Sequence, residues 1–214
     1  MTYAWWQKLK AMFGQDHFGF ADSWHRHRYV VVDLELTGLN PKEHEIVSMA
    51  WVVIENQRIC PRQSAHMLHS GVSQLAQSPI YHGITASRLI SEGDSMAAIL
   101  TAFDAACEDS ILVFHNALLD ERFLRCAYKQ QGQKFRYLTL DTLKIEQRRL
   151  ARQGTEVALD ALSLSACRRR YQLPVYREHN ALSDALATAE LFLAQVNHMS
   201  RQQRLPLSAL ITAG

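Results

Sequence analysis

The sequence predicts an α/β fold: a mixed sheet, three antiparallel strands first and parallel strands after, flanked by helices. Three observations carry that expectation. Between Tyr29 and Leu68 the apolar residues fall in short runs separated by turn residues, which is the mark of strands. Beyond Gly93 the period changes, with Met96, Leu100, Phe103 and Cys107 recurring at helical spacing. From there short apolar runs alternate with helical stretches, as parallel strands joined by crossover helices require.

The first strand is 29–36, YVVVDLEL, ended by Gly38, Asn40 and Pro41. A second apolar run, 46–54, passes through the turn Glu55-Asn56-Gln57 into a third strand around 63–68. Residues 94–109 read as a helix, 111–114 as a short buried strand and 118–130 as a helix. A further strand is expected at 137–140 and helices at 142–152, 160–171 and 181–197, the last burying Leu182, Leu186, Ala189, Leu193 and Val196. No repeat or low-complexity linker divides the chain.

Composition bounds the function. The 214 residues are 48% hydrophobic and 21% charged, with 23 Lys and Arg against 21 Asp and Glu for a net charge of +2. These are values of a globular domain, which excludes a disordered or collagen-like chain. Cys60, Cys107, Cys126 and Cys167 form no C-x-x-C pair, so neither a zinc knuckle nor a disulfide framework is expected, and a reducing, cytoplasmic location is. No apolar run approaches the ~18 residues of a membrane span. Residues 1–28 read as an N-terminal helical extension, with Trp5, Leu9, Met12 and Phe13 on one face of 1–14. That face suits packing on the domain, a partner or a membrane surface. His17, His25 and His27 lack the Cys or acid spacing of a metal site.

The informative residues are acids. Asp33 and Glu35, two apart in a strand, leave the same face. They sit either at a solvated strand end or around a divalent cation that offsets their desolvation and mutual repulsion. Phe114-His115-Asn116-Ala117-Leu118-Leu119-Asp120 reads as strand, tight turn and helix, with Asp120 in the first turns. His179-Asn180-Ala181-Leu182-Ser183-Asp184-Ala185 opens the last helix, with Asn180 as N-cap, Asp184 one turn in and His179 just outside. Alone, Asp120 is a first-turn acid favoured by the helix dipole, and His179 a loop histidine.

Taken in order, these motifs resemble the DEDDh 3′–5′ exonucleases, the family of the proofreading epsilon subunit of bacterial replicative DNA polymerase and of RNase T. The resemblance runs from Tyr29 to about Val196. It comprises D-x-E-x-T-G at Asp33, Glu35, Thr37 and Gly38, H-G-I-T from His82 to Thr85, and H-N-x-x-x-D from His115 to Asp120. D-T-L from Asp141 to Leu143 and H-N-A-L-x-D-A from His179 to Ala185 complete it. Leu36 and Leu119 stand where many relatives carry other residues.

The resemblance implies an RNase H-like five-stranded sheet in an exonuclease domain spanning 29–200, followed by a tail, 201–214. It also implies two divalent cations, Mg²⁺ or Mn²⁺. Asp33 would bridge them, Glu35 and Asp184 would complete the nucleophile-side ion, and Asp120 would hold the other. His179 would be the general base. Thr37, Gly38, Leu39, His82, Ile84 and Asn116 would contact the terminal nucleotide, with Leu39 or Ile84 as a wedge. The implied substrate is a single-stranded 3′ end, DNA in preference to RNA, released as nucleoside monophosphates. RNase T-like or oligoribonuclease-like RNA trimming is the alternative, and a non-catalytic polymerase-accessory module a third.

Two further features bear on partners. Nine Lys and Arg between Arg122 and Arg152, with Arg168 to Arg170 beyond, are interleaved with Tyr128, Phe135, Tyr137 and Tyr171, as in a strand-tracking groove. Gln202 and Leu205 have the spacing of peptides that dock into sliding clamps, unless Leu205, Leu207 and Leu210 fold back on the domain.

Overall fold

The computed structural model describes residues 18–154, 158–176, 179–200 and 204–211. The expected helix at 1–14 lies outside them. Five strands, β1 (Arg28–Leu36), β2 (Ile46–Glu55), β3 (Arg58–Leu68), β4 (Ser110–Phe114) and β5 (Thr139–Asp141), form one sheet in the order β3-β2-β1-β4-β5. β1 pairs antiparallel with β2, β2 antiparallel with β3, and β1–β4 and β4–β5 are parallel. This is the mixed sheet expected from the sequence. Asn56 and Gln57 both have positive φ, 50° and 63°, which lets the β2–β3 hairpin close with the right-handed twist of its strands.

The helices are α1 (Pro79–His82), α2 (Ala86–Glu92), α3 (Met96–Ala106), α4 (Ala117–Gln130), α5 (Thr142–Arg152), α6 (Leu164–Arg170) and α7 (Ala181–Met199). Side chains of β1 alternate between the two faces of the sheet. Val30, Val32 and Leu34 pack with Ile99, Leu100 and Phe103 of α3 and with Phe123 and Leu124 of α4. Tyr29 and Val31 pack on the other face with Ala185, Ala189, Phe192 and Val196 of α7. Asp33 and Glu35 continue that second row. The eight steps from Asp184 to Phe192 rise about 12 Å, and the four steps from Tyr29 to Asp33 span about 13 Å. Because the Tyr29 and Phe192 rings meet at 4.8 Å, the antiparallel run of α7 against β1 brings Asp184 level with Asp33 and Glu35.

Several expectations change. β3 begins at Arg58, not near 63, because this edge strand is half-exposed and contains Pro61, so its apolar alternation is weak. The helix expected at 160–171 divides into a 3₁₀ turn, Leu159–Leu162, and α6, where the Ser163 side chain accepts from the Ala166 N–H. Along α7 Leu182 is exposed. The buried row is Ala185, Ala189, Phe192 and Val196, joined by Leu191 on another side.

Residues 18–27 and 204–211 close one edge of the second core. The Trp24 N–H donates to the Leu205 carbonyl at 3.0 Å and the Leu207 N–H to that of Asp22 at 2.8 Å. Leu205, Leu207 and Leu210 are buried beside Trp24 and Phe192. Their side chains fold back on the domain, as one of the two readings had it, and Leu205 is not presented to a clamp.

Part of the basic, aromatic set is taken into the fold, while Arg122, Arg125, Lys129, Lys134, Arg136 and Arg152 stay exposed. Tyr128 and Phe135 are buried, and the hydroxyls of Tyr128 and Tyr137 both donate to the Asp104 carboxylate. Arg149, Arg170 and the Tyr171 hydroxyl converge on buried Glu146, while Arg148 donates to the carbonyls of Leu210 and Ile211. These rings and guanidinium groups hold the fold together and are not laid out for a strand. Among the described residues no helix is long and apolar enough to cross a membrane.

Candidate active site

Carboxylate oxygens of Asp33, Glu35 and Asp184 lie within 4.8 Å of one another at the C-terminal end of β1. Asp120, in the first turn of α4, is buried and close enough for its charge to act on Asp33. Burial raises the Asp33 carboxyl well above the usual range, and the charges of Asp120, Asp184 and Glu35 raise it further. Burial pushes Glu35 up to about 7, with Asp184 adding to it. Asp120 is raised by burial and then by Asp141, Glu35 and Glu121. Among the described residues neither Asp33, Glu35 nor Asp120 pairs with a lysine or arginine.

The Glu35 Oε1 atom is buried with no hydrogen-bond partner. Such an atom costs free energy unless something satisfies it. An all-oxygen, anionic set with an orphaned acceptor fits a hard divalent cation. The residues therefore fit the group the resemblance implies.

Backbone geometry sets Asp120. β4 ends at Phe114, and Asn116 turns the chain in the left-handed region, φ 68°. The Asn116 and Ala117 N–H groups donate to the Asp141 carboxylate at 3.0 and 3.1 Å, and Leu143 N–H donates to it at 3.0 Å. One carboxylate thus caps α5 and anchors the start of α4. Sequence reasoning marked Asp141 within a motif but gave it no role. The N-cap position just before 142–152 was the available signal. His115 contacts Thr142 Oγ1 through Nδ1 at 2.8 Å and the Leu162 carbonyl through Nε2 at 3.0 Å, and burial lowers its pKa.

His179 also has positive φ, 65°. Its N–H and that of Asn180 donate to the Asp184 carboxylate at 2.8 and 3.2 Å. The exposed ring lies 6.0 Å from that of Tyr81, in edge contact. Tyr81 was not singled out from the sequence. Its helix, α1, has a single turn, too short for a periodic signal. His82 lies beside them, its Nδ1 accepting from the Ile84 N–H at 3.0 Å, and its pKa is lowered by burial and by the charge of His179.

The remaining expected contacts divide. Thr37 closes the β1–β2 turn: its N–H donates to the Glu45 carbonyl at 3.0 Å and its hydroxyl accepts from the Glu45 N–H at 2.9 Å. Gly38 lies against the His44 ring, where a Cβ would fall 2.2 Å from Cδ2, so a side chain here requires that ring to move. Leu39 is 73% exposed. Ile84, by contrast, is buried among Val47, Leu68 and Leu89, so its side chain is not available as a wedge.

Fold and carboxylate cluster together define a nuclease-type enzyme with an acidic site suited to divalent cations. The family model described as "Exonuclease", of RNase T type, matches residues 30–192. The chain is 33% identical over 174 residues to a DNA polymerase III PolC-type protein of Thermotoga maritima, covering 81% of this chain and 12% of that one. It is 31% identical over 166 residues to the DNA polymerase III subunit epsilon of Aquifex aeolicus, covering 77% and 78%. Similar folds occur in a 3′-exonuclease solved with its "3'-end specific recognition of histone mRNA stem-loop", with a TM-score of 0.68, 17% identity and coverage of 91% and 71%. E. coli Exonuclease I in complex with a dT13 oligonucleotide is another, at TM-score 0.65, 14% identity and coverage of 82% and 42%. The chain belongs to the RNase T-type exonuclease family, and it carries that family's DEDDh pattern. It spans about an eighth of the length of the PolC-type relatives.

Proposed function

We propose that this protein removes nucleotides one at a time from the 3′ end of single-stranded DNA. The observation that carries the reading is the convergence of Asp33, Glu35 and Asp184, with Asp120 close by and Glu35 Oε1 lacking a partner. Asp33, Glu35, Asp120 and Asp184 would hold two divalent cations, Mg²⁺ or Mn²⁺. When bound, such ions supply positive charge that stabilises the attacking and leaving oxygens of a phosphodiester.

The chain's own groups do the rest. Raised carboxyl pKa values mean that without metal the cluster holds protons near neutrality, which binding of cations would displace. His179, exposed and hydrogen-bonded through its N–H to Asp184, accepts the proton of the attacking water through its imidazole. The turn at Thr37 and Gly38 receives the 3′ end, and exposed Leu39 packs on the last base. His82 and Asn116 line the same end of the sheet.

DNA is favoured because the curated relatives are polymerase III proteins, which also supports association with a polymerase. RNA trimming rests on the likeness to a 3′-exonuclease that recognises an mRNA stem-loop. Matched DNA and RNA single strands, digested with Mg²⁺ or Mn²⁺, separate the two. Faster release of mononucleotides from DNA is expected. Faster release from RNA would transfer the reading to RNA 3′ ends, and no metal-dependent release from either would leave a non-catalytic module.

A further inference from the structure

His179 sits at the end of a ten-residue connection, 171–180, between α6 and α7. A separate cluster ties the nearer part of that connection, up to Tyr176, to α7. Arg168, in the middle of α6, is 4% exposed. Its guanidinium donates to the Pro174 carbonyl at 2.8 Å, to the Glu190 carboxylate at 2.7 Å and to the Ala187 carbonyl. It also lies 4.7 Å over the Tyr176 ring, whose hydroxyl donates to the other Glu190 oxygen at 2.8 Å. The circuit Arg168–Glu190–Tyr176 is closed, and it ties the connection to α7 six residues beyond Asp184.

A buried ion pair is a poor means of holding two helices together, because desolvation cancels most of its attraction. Apolar residues would pack α6 on α7 at least as well. The chain instead spends a buried guanidinium on the carbonyl of Pro174 and the face of Tyr176, both in the connection. Tyr171 and Leu173 pack on the apolar cluster of Leu162, Cys167 and Leu191, but Val175 is 84% exposed, so that apolar anchorage stops short of Tyr176. The far end of the connection is held by Asp184, which accepts from the N–H groups of His179 and Asn180.

We infer that Arg168, Glu190 and Tyr176 are positioning residues that fix His179 beside Asp184. The inference rests on the proposed role of His179 as general base. The hydrogen bonds of the three go to Pro174, Ala187 and one another, and their effect on His179 passes along the chain from Tyr176. A misplacement on the order of 1 Å is enough to lower turnover substantially.

Tyr176→Ala and Glu190→Gln test this on the full chain. Both should lower kcat about tenfold with KM within about twofold of wild type. In metal-free protein the His179 amide should exchange with solvent about tenfold faster, while amides of β1 keep their protection. Tyr176→Phe, which keeps the ring over Arg168, should recover most of both. Unchanged His179 exchange below the melting transition, or a rise in KM alone, would overturn the inference. An inactive wild type would count against the proposed function instead, and the exchange measurement would still report on the pin.

Discussion

Each carboxylate of the cluster pushes its neighbours toward the protonated state, and this has a sign that can be measured. In the metal-free protein Asp33, Glu35 and Asp120 have raised pKa values, Glu35 about 7. Between about pH 4 and pH 7 the folded state thus binds more protons here than the unfolded chain does, and this contribution to stability falls as pH rises. His27, His66, His82 and His115, lowered by burial, act the other way, since the unfolded chain protonates first as pH falls. Comparing Asp33→Asn with wild type isolates the acids. The variant should be inactive yet melt higher without metal, by a margin that widens from about pH 5 to about pH 8. Calorimetric melts across that range check it; a margin that is flat or reversed contradicts the crowding. At the solvent side, His179→Ala should still bind cations and DNA but lose turnover by roughly 10²–10⁴-fold. Its rate should also lack the rise to a plateau that an imidazole base gives wild type. A near-normal rate with an unchanged pH profile would remove His179 from the reaction.

At the scale of elements, Asp141 joins three of them. Its carboxylate takes N–H groups from the β4–α4 turn and from the first turn of α5, and so fixes where Asp120 lies. Asp141→Asn puts an amide NH₂ where a second acceptor oxygen stood and faces it toward a backbone donor. The expected cost is about 2–3 kcal/mol, read as a lower denaturation midpoint with an unchanged slope, together with reduced activity. β1 and the helix at 142–152 were legible in the sequence because β1 is an apolar run ended by turn residues and α5 has a clear apolar face. α1 and α2 were not. Pro79–His82 is a single turn, and α2 buries only Leu89. Arginine counts misled for a related reason: a charged residue looks the same in sequence whether it faces water or closes a buried circuit, as Arg168 does with Glu190. The acids at 33, 120 and 184 were legible only as motifs in order. No periodicity says that β1, α4 and α7 meet at one end of the sheet.

For the whole molecule, the account requires the two flanking segments to belong to the domain's core. Leu207 is fully buried in the cluster formed with Trp24, Tyr29 and Phe192. Leu207→Ala should cost about 2–5 kcal/mol in equilibrium unfolding while leaving kcat intact at temperatures where the protein stays folded. A neutral effect would mean that 204–211 is not held as described. In the proposed function the acidic end of β1 hydrolyses DNA from the 3′ terminus with the help of divalent cations. Single-stranded DNA labelled at its 5′ end, incubated with the protein and Mn²⁺, tests it most directly. The expected result is a ladder of labelled products shortening one nucleotide at a time, absent with chelator and absent for Asp33→Ala. Release of the 5′ label as the first product, or the same ladder from Asp33→Ala, would contradict it.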